Sequence, residues 1–249
     1  MKLLVLQHAA AEHPGSLRPF LQAAGISWDT VELDQGARIP PLDAYDMMWV
    51  MGGPMDVWDV EEYPWLIDEK RAIRRFVREL ARPFLGICLG HQLLADALGG
   101  TCGPQRPPEI GVLDITSSPA GRADALFAGM PDTFKALQWH GVRVAEPPES
   151  AIVLASSAVC RCQAMRVGSW AYSMQYHVEV EPGTVASWAE IPEYRRALEA
   201  VLGPGSAPRL QADAERAIPE FAASSERLYR NFMNVVRRHP RLARPQPVA

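Results

Sequence analysis

The sequence predicts an α/β fold, and three observations carry that expectation. The chain opens on a short, continuous apolar run at residues 3–6, the pattern of a strand buried on both faces of a parallel sheet. Strand and helix candidates then alternate over roughly the first 100 residues. Composition agrees: 249 residues, 48% hydrophobic and 22% charged, suit a globular chain with one sizeable core rather than a disordered one.

The elements follow in order. Residues 14–24 read as a first helix stopped near Gly25, and residues 28–33 as a second strand. A third strand, 45–51, ends abruptly at Gly52-Gly53-Pro54. Residues 66–80 set Leu66, Ile67, Ile73, Phe76, Val77 and Leu80 among charges, which predicts a surface helix with one buried stripe. Pro83 closes it, 84–87 is a short apolar strand, and 91–98 is helical up to Gly99-Gly100.

The texture then changes. Residues 110–115, 133–137, 152–155, 163–167 and 171–175 are short strand candidates with little room for helices between them. They predict a mixed or antiparallel region joined to the same sheet. Residues 184–202 return to helix, broken by Pro192, and Gly203-Pro204-Gly205-Ser206 is a linker. Residues 211–238 form a long amphipathic helix expected to be interrupted at Pro219, and 239–249 are Pro- and Arg-rich. This helix is expected to pack back on the domain, with a homodimer contact as the alternative. The division expected is a main domain at 1–202, followed at 203–249 by a linker, a C-terminal helical appendage and a tail.

Charge and cysteine usage narrow the function classes. Lys and Arg number 25 against 29 Asp and Glu, a net charge of −4, so no nucleic-acid partner is expected. No stretch approaches 18 apolar residues, which predicts no membrane partner. The apolar start stops at Gln7-His8, too early for a signal-peptide core, so a cytoplasmic location is expected. Cys160-Arg-Cys162 lacks a second Cys pair or a His cluster, and no structural zinc is expected. The chain has neither a Gly-x-Gly-x-x-Gly fingerprint nor a phosphate loop, and no cofactor is expected.

The segment with chemical content is Pro83-Phe84-Leu85-Gly86-Ile87-Cys88-Leu89-Gly90-His91-Gln92-Leu93-Leu94. It passes from apolar strand to helix through Gly-x-Cys-x-Gly. A nucleophile between two glycines at such a junction sits on a sharp turn where a flanking Cβ would collide with neighbouring strands. The following helix N-terminus favours thiolate over thiol, making Cys88 a candidate nucleophile. The alternative is a buried thiol between packing glycines.

A cysteine nucleophile needs a base, and the base an orienting partner. Tyr176-His177-Val178-Glu179 supplies both types. His177 and Glu179 are two apart, so in an extended segment they share a side. His140, in Gln138-Trp139-His140-Gly141, is the rival base, and His91 is expected to be carried away from Cys88 by its helix. Acyl transfer also needs backbone donors for an oxyanion. The Leu89 N–H and the glycine pair of Gly52-Gly53-Pro54 are the two candidates, the pair's alternative being a plain turn. Residues 55–65, with Trp58 and Trp65, read either as a lid beside that loop or as a loop anchored over the next helix.

These motifs together resemble the class I glutamine amidotransferases, over about residues 1–190. Gly52-Gly53-Pro54, the Cys88 elbow and Gln175-Tyr176-His177-Val178-Glu179 occur in the family's order. The resemblance implies a flavodoxin-like three-layer α/β fold, with a mostly parallel central sheet, additional short strands and C-terminal helices. It implies a Cys88, His177, Glu179 triad, an oxyanion hole from Gly53 and Leu89, and a glutamine pocket shaped by Gly52, Pro54, Gln92, Trp139 and His140. The family usually carries a proline between the histidine and the glutamate. Val178 stands there instead, and a valine suits the same extended backbone.

The activity implied is glutamine hydrolysis through a Cys88 thioester, giving glutamate and ammonia. The partners implied are glutamine or a γ-glutamyl small molecule and, as a further candidate, a synthetase subunit, since the residues after the triad are too few for an ATP pyrophosphatase domain. The segment Met51-Gly52-Gly53-Pro54-Met55 resembles the GMP-synthase-like standalone group. Two other readings stand beside this one: a γ-glutamyl peptide hydrolase using the same triad, and an inactive interaction module.

Overall fold

Alternation along the first strand sets the layers. Successive side chains of a strand point to opposite faces, and in β1 (Lys2–Gln7) Leu3 and Val5 enter one apolar core while Leu4 and Leu6 enter another. The computed structural model describes residues 1–242, and β1 lies inside its one nine-stranded sheet.

Beyond a 3₁₀ turn, α1 (Arg18–Ala23) leads to β2 (Ser27–Glu32) and then β3 (Met47–Val50). The surface helix expected at 66–80 is α2 (Trp65–Arg74), continued by a π turn over Arg75–Glu79. β4 (Phe84–Ile87) and α3 (Leu89–Ala97) complete the alternating half. The second half holds β5 (Thr101–Ser117), a short α4 (Pro119–Arg122), β6 (Thr133–Glu146), β7 (Ala151–Ser156), β8 (Ala164–Val167) and β9 (Ala171–Met174). Three helices close the chain: α5 (Thr184–Glu190), α6 (Pro192–Leu202) and α7 (Ala207–Arg237).

The sheet order is β2-β1-β3-β4-β9-β8-β7-β5-β6. The pairings from β2 to β9 are parallel, and those from β9 to β6 antiparallel, so the sheet is mixed. α1 and the second half of α7 cover one face, with Leu21, Leu228 and Phe232 in the core of Val5 and Trp49. α2 and α3 cover the other, with Leu66, Ile73, Leu93 and Leu94 in the core of Leu6 and Val50. α5, α6 and the first half of α7 form a third core over β5 and β6.

Three expectations from the sequence are revised. The strand candidates at 110–115 and 133–137 belong to much longer strands, 101–117 and 133–146. The glycine and prolines of 103–108 fall in no strand candidate, and over them β5 pairs with β6 alone. The β5–β6 register breaks between Pro104 and Glu109, where two prolines have no N–H to give. α7 is not interrupted at Pro219, which lies inside it. A proline removes one helical hydrogen bond and crowds the preceding turn. Burial of Ala217 and Phe221 on either side in the third core holds the helix across it.

Most of the Pro- and Arg-rich segment at 239–249 lies outside the described residues. Among the described residues no helix is long and apolar enough to cross a membrane. Nor do any three His, Cys, Asp or Glu side chains among them cluster to hold a metal ion.

Candidate active site

The carboxyl ends of the parallel strands are where open α/β sheets place their ligand crevices. Cys88 follows β4, Gly52-Gly53 follow β3, His8 follows β1 and His177 follows β9. Cys88 has φ 53° and ψ −106°, a backbone region that L side chains rarely adopt. It is held there on all sides. Its N–H bonds the Met174 carbonyl of β9 at 2.8 Å, and its carbonyl accepts the His91 and Gln92 N–H groups at 2.9 and 3.2 Å. The thiol therefore stands at the N-terminus of α3.

The flanking glycines have separate steric causes. A Cβ on Gly86 would lie 2.5 Å from the Gly90 carbonyl oxygen, so Gly86 clears the first turn of α3. A Cβ on Gly90 would lie 2.1 Å from the Val50 carbonyl oxygen, so Gly90 lets α3 rest on β3. Gly90→Ala is therefore expected to destabilise the fold by about 1–3 kcal/mol. The measurement is a lowered urea midpoint at unchanged slope.

His177 and Glu179 lie on one side of the extended segment, as their spacing predicts. His177 Nδ1 is 2.6 Å from Glu179 Oε1, and both side chains are buried. The other carboxylate oxygen accepts the Val178 N–H at 3.0 Å. A proline at 178 would have no such proton, so the valine adds a hydrogen bond that fixes the carboxylate. The backbone is pinned as well: His177 exchanges both backbone hydrogen bonds with Leu137 of β6, at 2.9 and 3.0 Å. The Glu179 carbonyl accepts the Ser16 N–H at 2.8 Å. Gly15, at φ 47°, passes so close that a Cβ there would lie 1.8 Å from that oxygen.

Burial alone would lower the His177 pKa. The Glu179 carboxylate first, and negative charge on Cys88 next, overcome this and raise it well above the usual histidine range. The imidazole thus sits between thiol and carboxylate, with Nδ1 toward Glu179. Cys88 has a further neighbour in Gln175, whose Nε2 is 3.6 Å from Sγ. Gln175 Oε1 in turn accepts from Gln92 Nε2 at 3.2 Å.

The other two histidine candidates are engaged elsewhere. His91 pairs with the Ser173 hydroxyl at 2.8 Å and donates to the Cys162 carbonyl at 3.1 Å, and burial pushes its pKa down to about 3. His140 donates from Nδ1 to the Val142 carbonyl at 2.8 Å, while its Nε2 lies 3.2 Å from Glu109.

A cavity of about 200 Å³ opens over Cys88. Gly53, Pro54, Gln92, Trp139 and His140 line it, together with Met55, Asp56, Glu193 and Tyr194. Gly52 does not line it, because its carbonyl is turned to His8. Neither the Gly53 nor the Leu89 N–H has a partner among the described residues. Of the two tryptophans in the segment after Gly53, Trp58 is exposed. Trp65, the first residue of α2, stacks on His8 with ring centroids 5.6 Å apart, which anchors the end of the segment against the chain leaving β1.

Several residues of the site carry no local sequence signal. Trp188 of α5 meets the His177 ring edge-on at 4.6 Å and Trp139 at 5.7 Å. The Tyr194 hydroxyl of α6 donates to Glu12, which lies in the loop after β1. Burial holds the Glu12 carboxyl above the usual range, in spite of His177 nearby.

Known proteins resemble this chain in both sequence and fold. The family described as glutamine amidotransferase class-I matches residues 16–187. The chain is similar to the glutamine amidotransferase-like protein YfeJ of Salmonella typhimurium, 31% identical over 186 residues, covering 72% of this chain and 76% of that one. It is 36% identical over 150 residues to a glutamine-hydrolysing GMP synthase subunit of Saccharolobus solfataricus, covering 57% of this chain and 75% of that one. Among solved structures, a glutamine amidotransferase from Thermotoga maritima superposes with a TM-score of 0.82 at 27% identity, covering 95% of this chain and 98% of that one.

Proposed function

The chain belongs to the class I glutamine amidotransferase family, and from that premise we propose that it hydrolyses the side-chain amide of glutamine through a thioester on Cys88. The observation that carries this reading is the buried His177 ring, held by Glu179 at 2.6 Å and close enough to Cys88 for the two to interact electrostatically. The Cys88 thiolate attacks the amide carbon while the proton rests on His177 Nε2. The tetrahedral oxyanion is met by the Gly53 and Leu89 N–H groups, neither of which has a partner among the described residues. His177 gives its proton to the departing ammonia. It then takes one from the water that releases glutamate. Glu179 holds the ring tautomer and stabilises the imidazolium.

The cavity wall supports the same reading. Gln92 of the wall donates to Gln175 Oε1, and the Gln175 amide nitrogen behind it lies 3.6 Å from the thiol. Trp139 and Tyr194 enclose the apolar stem of the substrate. Because the acyl half of glutamine is the acyl half of any γ-glutamyl compound, the leaving amine alone separates an amidotransferase from a γ-glutamyl hydrolase.

The test is glutamate release by the purified chain, offered glutamine beside a panel of γ-glutamyl amides and dipeptides. Release from glutamine at a rate equal to or above the dipeptides is expected. Turnover confined to dipeptides would replace the glutaminase reading with the hydrolase one. No release from any of them would overturn both.

A further inference from the structure

We propose that His8 and Glu69 form a buried positioning pair that locks the Gly52–Gly53 peptide with its N–H turned toward Cys88, so that the oxyanion site is set within the isolated chain. The inference rests on the function proposed above and names what orients one of its two backbone donors.

His8 follows β1 and Glu69 lies on α2, and neither side chain is exposed to solvent. His8 Nδ1 is 2.7 Å from the Gly52 carbonyl oxygen, and Nε2 is 2.9 Å from Glu69 Oε1. A carbonyl only accepts, so Nδ1 carries a proton whatever the charge of the ring. Burial opposes an imidazolium, but Glu69 and the Gly52 carbonyl outweigh it and raise the His8 pKa. A cation donating to a carbonyl makes a stronger hydrogen bond than a neutral donor does.

The geometry of the peptide unit does the rest. In a trans peptide the C=O and the N–H point in opposite directions. The Gly52 carbonyl and the Gly53 N–H belong to the same unit, so pinning one aims the other. Two glycines in succession resist a peptide flip less than any other pair, which is why this loop needs an external clamp. Packing supplies a second restraint: a Cβ on Gly53 would lie 2.8 Å from both His8 Cβ and Leu89 Cδ2. Trp65 stacked on the ring keeps His8 from swinging away.

The bland alternative is an ion pair that merely joins β1 to α2. Such pairs are often replaceable by apolar residues without loss of stability, and a joining role leaves catalysis untouched. The test uses the full chain with His8→Asn, His8→Gln and His8→Leu. The Asn side-chain nitrogen falls where Nδ1 reaches Gly52, whereas the Gln nitrogen falls where Nε2 reaches Glu69. Steady-state glutamate release is read beside the rate of Cys88 alkylation by iodoacetamide, which needs the thiolate but no oxyanion site.

His8→Leu and His8→Gln are expected to lose about 10²-fold in kcat, with KM and alkylation unchanged. His8→Asn is expected to retain at least roughly tenfold more kcat than His8→Gln, on the same ground. Equal kcat in Asn and Gln variants, or loss of alkylation in step with kcat, would overturn the inference. That contrast decides it even if His8→Leu does not fold. Wild-type chain that releases no glutamate sinks the proposed function and this inference together, whereas active wild type with indifferent variants sinks this one alone.

Discussion

Cys88→Ala is expected to lower glutamate release by a factor on the order of 10⁴ to 10⁶. Loss of the nucleophile removes the covalent step, and neither the oxyanion donors nor the His177–Glu179 pair can replace it. The same substitution separates an enzyme from an interaction module, since a module has no activity to lose. Its effect on folding can be told apart from its effect on chemistry. The Cys88 backbone, at φ 53°, stores strain that a glycine would not feel. Cys88→Gly is therefore expected to be as inert as Cys88→Ala and yet more stable, by about 1 kcal/mol. A raised urea midpoint with no activity is the outcome that ties strain to catalysis. A Cys88→Gly chain less stable than wild type would show that the elbow is relaxed and that its geometry serves packing alone.

The elbow and the His177–Glu179 pair were legible because their geometry is local. Gly86, Cys88 and Gly90 sit within one turn, and the steric conflicts that exclude side chains there arise wherever a strand enters a helix so abruptly. Positions 177 and 179 share a side by the two-residue period of extended backbone. The clamps around them were not legible. His8 finds Glu69 at 61 residues' separation and Gly52 at 44, and Glu12 finds Tyr194 at 182. A lone histidine after a first strand and a lone glutamate on a helix carry no signal of their pairing. Only the parallel order of β1 and β3, with α2 laid over them, brings the three together. Tyr194 and Trp188 were hidden for another reason. Both read as the apolar stripe of helices α5 and α6, which is also what they are, since each fills the third core as well as flanking the site.

The prolines show the opposite failure. Pro107, Pro108 and Pro219 are breakers by every local rule, yet they lie within β5 and α7. In each case the tertiary structure had already relaxed the demand. The β5 prolines fall at the register break against β6, and Pro219 lies between buried side chains that hold α7 on the sheet.

Glu179→Gln is expected to lower kcat by about 10³-fold and to move the alkaline limb of the pH–rate profile downward. The carboxylate can only accept from His177 Nδ1, which leaves Nε2 free to take the Cys88 proton. A glutamine can instead donate to Nδ1 and stabilise the opposite tautomer, with a proton already on the nitrogen that must receive one. Charge acts in the same direction. Against the penalty of burial, the His177 pKa is raised by Glu179 first and by Cys88 next. A raised histidine pKa means that the imidazolium persists as pH climbs past the ordinary histidine range and is lost only through the higher value. The wild-type alkaline limb is therefore expected well above that range. Without the Glu179 charge the imidazolium loses its main support, the pKa falls, and the limb falls with it. Glu12 lies near the same ring, and burial pushes its carboxyl above the usual range. The pH dependence of iodoacetamide alkylation reads the thiolate–imidazolium pair directly, without substrate. A Glu179→Gln chain whose alkylation profile and kcat both match wild type would remove Glu179 from the mechanism and leave His177 to be oriented by its backbone bonds to Leu137 and by Trp188 alone.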